Sequence, residues 1–300
     1  MKKLIVKGQT VYFKNSEEID KDEVDKPVSF IITSPPYWDL KKYGHENEIG
    51  HETYEEYIGR MNKVWDKCYD VSTENAVLCI IVNDRRKEKT FYPIPMDIVH
   101  NMKKWKLIDY MLWYSPNAMT QNGLYKEKLY DKKTEMILLF AKNYEYKYSF
   151  NKIRVKQKYW GIDPRLNNKD VKGRGITNII RCPAHKTPKI KEKNYHMAAF
   201  PDRLAYALMY TFTQEGDSVL DPFLGSGTVL KIARHMNRMG YGYEINSSFE
   251  QNIKNRINEQ FYPPSWEELD ILHEPEKISN INTNKPRVDN SKKIIEYLYK

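Results

Sequence analysis

The feature that most restricts the fold is a strand, a glycine turn, a helix and a second strand that follow one another between residues 218 and 244. Residues 218–220 are an apolar run that predicts the first strand, and the helical pattern after the turn extends to about Met236. The second predicted strand covers Gly240 to Glu244. Two strands joined by a helix lie parallel in one sheet, so this unit predicts an α/β fold.

The same alternation of strands and helices extends over most of the chain. Four further strands are predicted, at Val28–Thr33, Ala76–Val82, Leu107–Tyr114 and Glu135–Ala141. Three further helices are predicted, at Tyr54–Val71, at Ile94–Lys104 and from Pro201 to about Thr213. With 300 residues, of which 40% are hydrophobic, the chain can bury one substantial core and a smaller appended module.

The glycine turn carries residues that suit a nucleoside ligand. Asp221 ends the first strand, Gly225 and Gly227 let the backbone approach a ligand, and Glu244 ends the second strand 23 residues after Asp221. A carboxylate at the position of Glu244 can accept hydrogen bonds from both ribose hydroxyls, and Asp221 can hold an ammonium group. The turn lacks the Gly-Lys-Ser/Thr of a phosphate-binding loop, so a phosphate is not required. A Gly-x-Gly turn alone is a weak signal.

A second set of candidate residues follows the strand at Val28–Thr33. The sequence Thr33 to Trp38 places a serine, two prolines and two aromatic residues at the strand end. Neither proline can donate a backbone hydrogen bond, so carbonyl and hydroxyl acceptors face a pocket beside aromatic surfaces. This combination suits a flat heterocycle with an exocyclic amino group. The competing interpretation is an ordinary turn capped by a buried aromatic side chain.

Positive charge is concentrated in one segment. The whole chain carries a net charge of +9, and residues 142–195 alone carry fifteen lysines and arginines against four acidic residues. The remainder therefore sums to about −2, which makes the cationic surface a local property. Aromatic residues interleave with these charges, and glycines and prolines interrupt any long helix. The segment predicts a nucleic-acid-contacting insert, with a solvated basic linker as the alternative.

Several classes of protein are excluded by composition. No apolar run approaches the ~20 residues that span a bilayer, and the apolar residues after Met1 are too few for a signal peptide, so we expect a cytoplasmic protein without membrane contact. The three cysteines, Cys68, Cys79 and Cys182, form no Cys-x-x-Cys pair. Neither a disulfide framework nor a metal site is therefore predicted.

Two motifs together resemble a known family. Ser34-Pro35-Pro36-Tyr37 after a strand and the stretch from Asp221 to Thr228 far downstream are similar to the S-adenosylmethionine-dependent DNA amino-methyltransferases of restriction-modification systems. The stretch from His196 to Pro201 resembles the motif that precedes the cofactor turn in that family. The order of catalytic motif, basic insert and cofactor motif is that of the β class of the family.

The resemblance implies a fold and a domain organisation. It implies an α/β fold with a Rossmann-like, mostly parallel sheet of the class I methyltransferase type and an inserted basic target-recognition module. The implied parts are a catalytic part (1–141), a recognition insert (142–195), a cofactor-binding part (196–262) and a C-terminal appendage (263–300).

The resemblance also implies roles for individual residues. S-adenosylmethionine is the implied cofactor and duplex DNA the implied partner. The implied catalytic residues are Ser34, Pro35, Pro36 and Tyr37. The implied cofactor-binding residues are Thr33, Phe200, Asp221, Phe223, Gly225, Ser226, Gly227, Thr228 and Glu244. The basic residues expected to contact DNA are Lys152, Arg154, Lys156, Lys158, Arg165, Lys172 and Arg174.

The target base is indicated by one residue. Family members with serine at the first position of the catalytic motif tend to methylate N4 of cytosine, and those with aspartate tend to methylate N6 of adenine. Ser34 therefore favours cytosine, with adenine as the alternative. An RNA methyltransferase and a non-catalytic nucleic-acid-binding subunit are further alternatives. A cognate restriction endonuclease is a possible partner, and both a monomer and a homodimer fit the sequence.

Overall fold

Most of the strands belong to one sheet. The computed structural model describes residues 2–39, 47–118, 130–145, 153–156, 173–184 and 200–272. In these residues nine strands form a single sheet in the order β1-β2-β13-β12-β3-β4-β8-β7-β11. The strands of this sheet are β1 (Lys2–Val6), β2 (Gln9–Phe13), β3 (Val28–Thr33), β4 (Ser72–Val82), β7 (Lys106–Tyr114), β8 (Thr134–Ala141), β11 (Ile179–Arg181), β12 (Ser218–Asp221) and β13 (Met239–Tyr243). Two short antiparallel pairs in the described residues lie outside it, namely β5 (Arg85–Lys87) with β6 (Thr90–Tyr92) and β9 (Arg154–Val155) with β10 (Arg174–Gly175).

The central strands are parallel, which confirms the predicted fold class. Strands β2, β13, β12, β3 and β4 run parallel to one another. Strand β8 is antiparallel to both of its neighbours, and β11 adds a parallel edge beside β7. Strand β1 is antiparallel to β2, so two of the nine strands, β1 and β8, are reversed. A mostly parallel sheet of this kind requires helical crossovers on its faces.

In the described part of the chain, five α-helices cover the two faces of the sheet. They are α1 (Tyr54–Asp70), α2 (Ile94–Asn101), α3 (Asp202–Phe212), α4 (Thr228–His235) and α5 (Glu250–Asn258). Alternate residues of β4 enter different cores: Val77 and Cys79 pack with α3, α4 and α5, whereas Leu78 and Ile80 pack with α1 and α2. This period of two, buried on both sides, explains why β4 is a nearly continuous apolar run. None of the described helices is long and apolar enough to cross a membrane.

The sheet places the two predicted motifs side by side. Strands β3 and β12 are parallel neighbours, with Phe30 beside Val219 and Ile31 beside Leu220. Their carboxyl ends therefore lie at the same edge of the sheet. Thr33 and Asp221, which end these strands, are brought together although 188 positions separate them in the chain.

The described part of the basic insert is joined to the rest of the molecule. Strand β11 lies within residues 142–195, yet it pairs with β7 in the large sheet. Ile180 and Cys182 are buried in the core beneath α3. Lys142, the first basic residue of the segment, is also buried, and its Nζ donates to the carbonyl of Ser72 at 2.7 Å. The domain boundaries predicted from the sequence stay a prediction.

A short segment after α5 contacts this insert. A 3₁₀ turn at Trp266–Leu269 packs on α3, where Trp266 stacks on Tyr206 with ring centroids 5.2 Å apart. Asp270 follows the turn, is buried, and forms an ion pair with Arg174 of β10. The first described residues of the predicted C-terminal appendage thus link the insert to the cofactor-binding part.

Candidate active site

A cavity opens at the edge of the sheet where β3 and β12 end. Both predicted motifs contribute to its wall: Ser34 and Pro36 come from the first, and Phe223, Gly225 and Glu244 from the second. The other residues of the wall are Asn15, Ser16, Asn47, Glu48, Ile49, Pro222, Tyr243 and Ile245. Amino acids that are distant in the sequence thus line one concave space, as is typical of small-molecule sites.

Asp221 is buried beside the cavity and is held by two hydrogen bonds. Its Oδ1 accepts from Thr33 Oγ1 at 2.7 Å and from the backbone N–H of Phe223 at 3.0 Å. Burial raises the pKa of Asp221 to about 7, and the two hydrogen bonds oppose this rise. Among the described residues no donor faces Oδ2 and no cation pairs with the carboxyl group. A cationic ligand group would stabilise its charged form.

Glu244 is the second buried carboxyl group of the cavity. Its Oε2 accepts from the backbone N–H of Gly225 at 3.0 Å, and its Oε1 accepts from that of Asn246 at 2.9 Å. Burial raises the pKa of Glu244 to about 7, and the nearby carboxylates of Asp221 and Glu48 raise it further. Three acidic groups around one cavity favour a ligand that carries positive charge.

The glycine turn holds its conformation through positive φ angles. Gly225 has φ of +53° and Gly227 has φ of +93°, in the region that favours glycine. A Cβ on Gly227 would meet Ile253 of α5 at an ordinary van der Waals distance of 3.5 Å, so the positive φ, and not a lack of space, favours glycine at this position. The side chains of Ser226 and Thr228 are hydrogen-bonded to each other at 3.3 Å. Neither these two residues nor Gly227 is part of the described cavity wall.

Phe200 and Thr33 also lie behind the wall and not in it. Phe200 is buried in the core formed by α3, α4 and α5. Thr33 is fully buried and acts on the cavity through its bond to Asp221. Both residues therefore lie close to the cavity without lining it, and their contact with the cofactor stays a prediction.

Hydrogen bonds hold the catalytic motif against α1 and the segment that precedes it. The carbonyl of Pro36 accepts from the Tyr57 hydroxyl of α1 at 3.0 Å. The indole N–H of Trp38 donates to the carbonyl of Glu52 at 2.9 Å. Pro35 is buried, whereas Ser34, Pro36 and Tyr37 keep part of their surface accessible. The motif thus presents a hydroxyl and an aromatic ring from a fixed loop.

The hydroxyl of Tyr37 donates to Glu135 Oε2 at 2.8 Å. Burial and the neighbouring carboxylate raise the pKa of Tyr37 well above its ordinary value, and a side-chain hydrogen bond with Ser34 acts in the opposite direction. The pKa of Glu135 is raised by burial as well. Tyr37 is therefore a neutral hydrogen-bond donor across the physiological pH range.

Sequence reasoning missed the part of the wall that comes from residues 15–16 and 47–49. Ser16 Oγ donates to the carbonyl of Pro222 and so attaches the N-terminal segment to the cofactor turn. Asn15 caps a 3₁₀ turn at Ser16–Glu18 by accepting from the N–H of Glu17 at 3.0 Å. The Asn-Ser-Glu-Glu sequence is a recognisable cap, but nothing in it indicates that the cap faces a cavity.

The basic residues expected to contact DNA are only partly described. Lys152, Lys158, Arg165 and Lys172 lie outside the described residues. Arg154 and Lys156 are exposed; Arg154 donates to the carbonyl of Gly173 at 3.2 Å, and the backbone N–H of Lys156 donates to Glu267 Oε1 at 3.3 Å. Arg174 is paired with Asp270. DNA contact by these residues stays a prediction.

Comparison with known protein families identifies the class of protein. The family model described as DNA methylase, of the N6 and N4 type, matches residues 28–255. This chain belongs to that DNA methylase family. The matched region contains β3, the catalytic motif, the cofactor turn and most of α5. The recognition of a β-class DNA amino-methyltransferase is therefore confirmed.

Individual DNA methylases are similar over most of the chain. The type II methyltransferase M.HpaI of Haemophilus parainfluenzae is 28% identical over 84% of this chain and 75% of its own length. The type II methyltransferase M.MjaI of Methanocaldococcus jannaschii is 28% identical over 84% of this chain and 92% of its own length.

Solved structures show the same fold at lower sequence identity. The PvuII DNA methyltransferase, described as cytosine-N4-specific, superposes with a TM-score of 0.64 at 15% identity and covers 85% of this chain and 88% of its own. A DNA modification methylase of Thermus thermophilus, TTHA0409, was solved with S-adenosylmethionine and gives a TM-score of 0.55 at 23% identity over 83% and 94% of the two chains.

The protein is thus a DNA methyltransferase, and S-adenosylmethionine is its cofactor. The cavity fits this ligand on its own chemistry. S-adenosylmethionine carries an ammonium group, a sulfonium centre and a ribose, and the buried carboxyl groups of Asp221 and Glu244 supply acceptors for cationic and hydroxyl groups.

Proposed function

We propose that this DNA methyltransferase methylates the exocyclic N4 amine of a cytosine that is flipped out of duplex DNA. The observation that carries the proposal is the shared cavity: Ser34 and Pro36 of the catalytic motif and Gly225 and Glu244 of the cofactor part line the same space. A base that enters from the catalytic side therefore meets the methyl donor without any rearrangement of the two motifs.

Ser34 and Pro35 are the groups that receive the amine. Ser34 Oγ and the carbonyl of Pro35 accept hydrogen bonds from the exocyclic N–H groups, and the ring of Tyr37 stacks on the base. These bonds orient the nitrogen lone pair and withdraw it from conjugation with the ring. Nucleophilic attack by nitrogen requires no covalent enzyme intermediate. Cys182 is not expected to act as a nucleophile instead, because burial raises the pKa of its thiol to about 12 and so disfavours the reactive thiolate.

The cofactor side is assigned to the acidic residues and the turn. S-adenosylmethionine supplies an electrophilic methyl group on sulfur when it is bound. Asp221 holds the ammonium group, Glu244 holds the ribose hydroxyls, and Gly225 lets the backbone come close. Thr33 orients the Asp221 carboxyl group through its 2.7 Å hydrogen bond. Two aromatic residues, Phe200 and Phe223, supply apolar surface to the proposed site. Three residues form the turn, namely Ser226, Gly227 and Thr228.

Cytosine is favoured by the hydroxyl at the first position of the catalytic motif. Ser34 stands where an aspartate is the alternative in this family, and a solved structure with the same fold is described as cytosine-N4-specific. Hydroxyl and carboxylate oxygens both accept from either amine, so the preference rests on Ser34 and not on a distinct pocket shape.

The biological setting follows from the named relatives. Both relatives above are type II methyltransferases, so we propose a role in a cytoplasmic restriction-modification system with a cognate endonuclease. The insert at residues 142–195 is the proposed target-recognition module, and it acts in a monomer or a homodimer.

Base-resolution sequencing tests the function and the target together. A bacterial genome that lacks the enzyme is incubated with the protein and S-adenosylmethionine and then sequenced by a method that distinguishes N4-methylcytosine from N6-methyladenine. The proposal predicts N4-methylcytosine at one recurrent short sequence. Methylated adenine at such a sequence would replace cytosine as the target, and modification of added RNA in preference to duplex DNA would contradict a DNA substrate.

A further inference from the structure

Glu135 connects the catalytic motif to a distant strand of the sheet. It is the second residue of β8, and the Tyr37 hydroxyl donates to its Oε2 at 2.8 Å. Strand β8 is antiparallel to β4, so β8 begins at the edge where β3 and β4 end. The hydrogen bond therefore passes over the end of β4 and ties the loop after β3 to the strand beyond it.

The carboxyl group of Glu135 lies in an environment that does not stabilise its charge. It is mostly buried, its partner across the sheet on β7 is Trp113, and its neighbour along β8 is Met136, which pairs with Val82. Among the described residues no lysine, arginine or histidine pairs with this carboxyl group, which accepts a hydrogen bond from Tyr37. Such a group costs folding free energy, which an apolar residue at this position of β8 would avoid.

The hydrogen bond from the Tyr37 hydroxyl to Glu135 restricts the orientation of the Tyr37 ring. The backbone of the motif is already held by the bond between Tyr57 and the Pro36 carbonyl. The ring of Tyr37 packs against the core beneath α1 and α2 and stays partly accessible, between two residues of the cavity wall along the chain, Ser34 and Pro36. Rotation about the side-chain bonds is therefore limited at the hydroxyl end by Glu135 and at the ring by packing.

We propose that Glu135 is a positioning residue for DNA methylation: it holds the Tyr37 ring at the angle at which the flipped base stacks on it. The proposal rests on the proposed function, in which Tyr37 is the stacking surface. Glu135 acts through the Tyr37 hydroxyl, and it contacts neither the cofactor nor the reacting amine. A residue on β8 thereby determines how well the motif after β3 receives the base.

A double-mutant cycle tests the connection. Glu135→Leu removes the acceptor and leaves an apolar residue, which is expected to fold, and Tyr37→Phe removes the donor but keeps the ring. Each is expected to lower kcat/KM for DNA about ten-fold, the size expected for one hydrogen bond to a carboxylate. The double variant should be no slower than Tyr37→Phe, because Tyr37→Phe already removes the bond to Glu135 together with the contact to Ser34. Glu135→Gln keeps an acceptor oxygen and should retain activity within about three-fold of the parent.

Two controls separate positioning from a general structural effect. Glu74→Leu changes an exposed glutamate on β4, at the opposite end of the sheet, and should leave kcat/KM unchanged. Affinity for S-adenosylmethionine, measured by calorimetry, should be the same in the Glu135 variants and the parent. Losses in the two single variants that multiply in the double variant would overturn the proposal, as would weakened cofactor binding in Glu135→Leu.

A spectroscopic measurement needs no methylation at all. The protein is labelled with fluorotyrosine, and the fluorine resonance of Tyr37, one of 23 tyrosines, is identified by its absence in Tyr37→Phe. Glu135→Leu should shift and broaden that resonance, whereas Glu74→Leu should not. If the parent enzyme failed to methylate DNA, the proposed function would be wrong, and an unchanged Tyr37 resonance in Glu135→Leu would independently refute the role of Glu135.

Discussion

Thr33 Oγ1 donates a 2.7 Å hydrogen bond to Asp221 Oδ1 and so joins the ends of β3 and β12 behind the wall of the candidate active site. Both residues are almost completely buried. The bond couples the two motifs that the sequence separates by 188 positions. It orients the Asp221 carboxyl group from the strand that leads directly into Ser34.

The Thr33 hydroxyl is expected to support cofactor binding. Thr33→Val preserves the shape of the side chain but removes the donor, which raises the pKa of Asp221 further and leaves one hydrogen bond on Oδ1. We expect affinity for S-adenosylmethionine to fall about five- to ten-fold at pH 7, corresponding to about 1 kcal/mol. Calorimetric titration measures this, with Thr33→Ser as the matched variant that retains the hydroxyl. Equal affinities for the valine and serine variants would show that the bond is not used.

Cofactor affinity should depend on pH because one buried carboxyl group, that of Glu244, lines the cavity and a second, that of Asp221, lies beside it. Burial raises the pKa of Asp221 and of Glu244 to about 7 each, and a bound cationic group lowers the pKa of a neighbouring carboxyl group. Below pH 7 the Asp221 carboxyl group must lose its proton when it binds the ammonium group, so affinity should rise at least ten-fold between pH 5.5 and pH 7.5. Calorimetry in two buffers of different ionisation enthalpy should also detect proton release. An affinity that is constant or decreases over this range would contradict the assignment.

Asp221 is expected to lower the stability of the cofactor-free protein. Its pKa is about 7 in the folded chain against an ordinary value of 3.8, so the stability it contributes in acid is lost as the pH rises through 7. Asp221→Asn should therefore stabilise the cofactor-free protein at pH 8 by roughly 1–3 kcal/mol and by much less at pH 5. Urea denaturation at the two pH values measures the difference. The same variant should lose cofactor binding, and a variant less stable than the parent at pH 8 would refute the argument.

Much of the fold is predictable from the sequence because its strands are buried on both faces. The six residues of β3 are found as predicted, since the prolines after Thr33 end the strand. Strand β4 begins at Ser72, four residues before the predicted start, because Ser72 pairs with Val28 past an irregularity in the ladder. Helix α2 ends at Asn101, before the predicted Lys104. A local sequence pattern does not show which residues pair across the sheet, so it cannot fix such element boundaries.

The candidate site was predictable where the chemistry lies in a motif and not where it depends on packing. Ser34 and Glu244 were predicted from their motifs, and both lie in the cavity wall because strand ends in a parallel sheet share one edge. Asn15, Ser16 and Glu48 were missed, since they reach the cavity from segments without a pattern of their own. Glu135 was included only as the start of a strand, and nothing local indicates that its carboxyl group meets Tyr37.

Lys156 of the insert is expected to bind the DNA backbone. Lys156 is exposed, and its side chain has no ion-pair partner among the described residues, so Lys156→Gln should weaken DNA binding and reduce the salt slope by about one phosphate contact. Lys254→Gln, on the exposed face of α5, is the matched control and should change neither. Titrations of duplex DNA at several salt concentrations measure both quantities. An unchanged slope for Lys156→Gln would argue against this face of the insert as the DNA surface.

Arg174 should contribute mainly to the attachment of the insert. It pairs with the buried Asp270, so Arg174→Gln leaves a buried carboxylate without its cation. We expect the variant to lose roughly 2 kcal/mol of stability, and Asp270→Asn to lose less. Thermal denaturation of the cofactor-bound protein measures this. A stability equal to that of the parent, together with a reduced salt slope for DNA binding, would instead assign Arg174 to DNA.

The central claim is that Ser34 presents a cytosine amine to the methyl donor in the shared cavity, and one measurement tests it most directly. Duplex DNA is incubated with the protein and methyl-deuterated S-adenosylmethionine, digested to nucleosides and analysed by mass spectrometry, with Ser34→Ala as the reference. The account predicts deuterated N4-methyldeoxycytidine that is strongly reduced in Ser34→Ala. Deuterated N6-methyldeoxyadenosine alone, or N4-methyldeoxycytidine formed equally by both proteins, would contradict it.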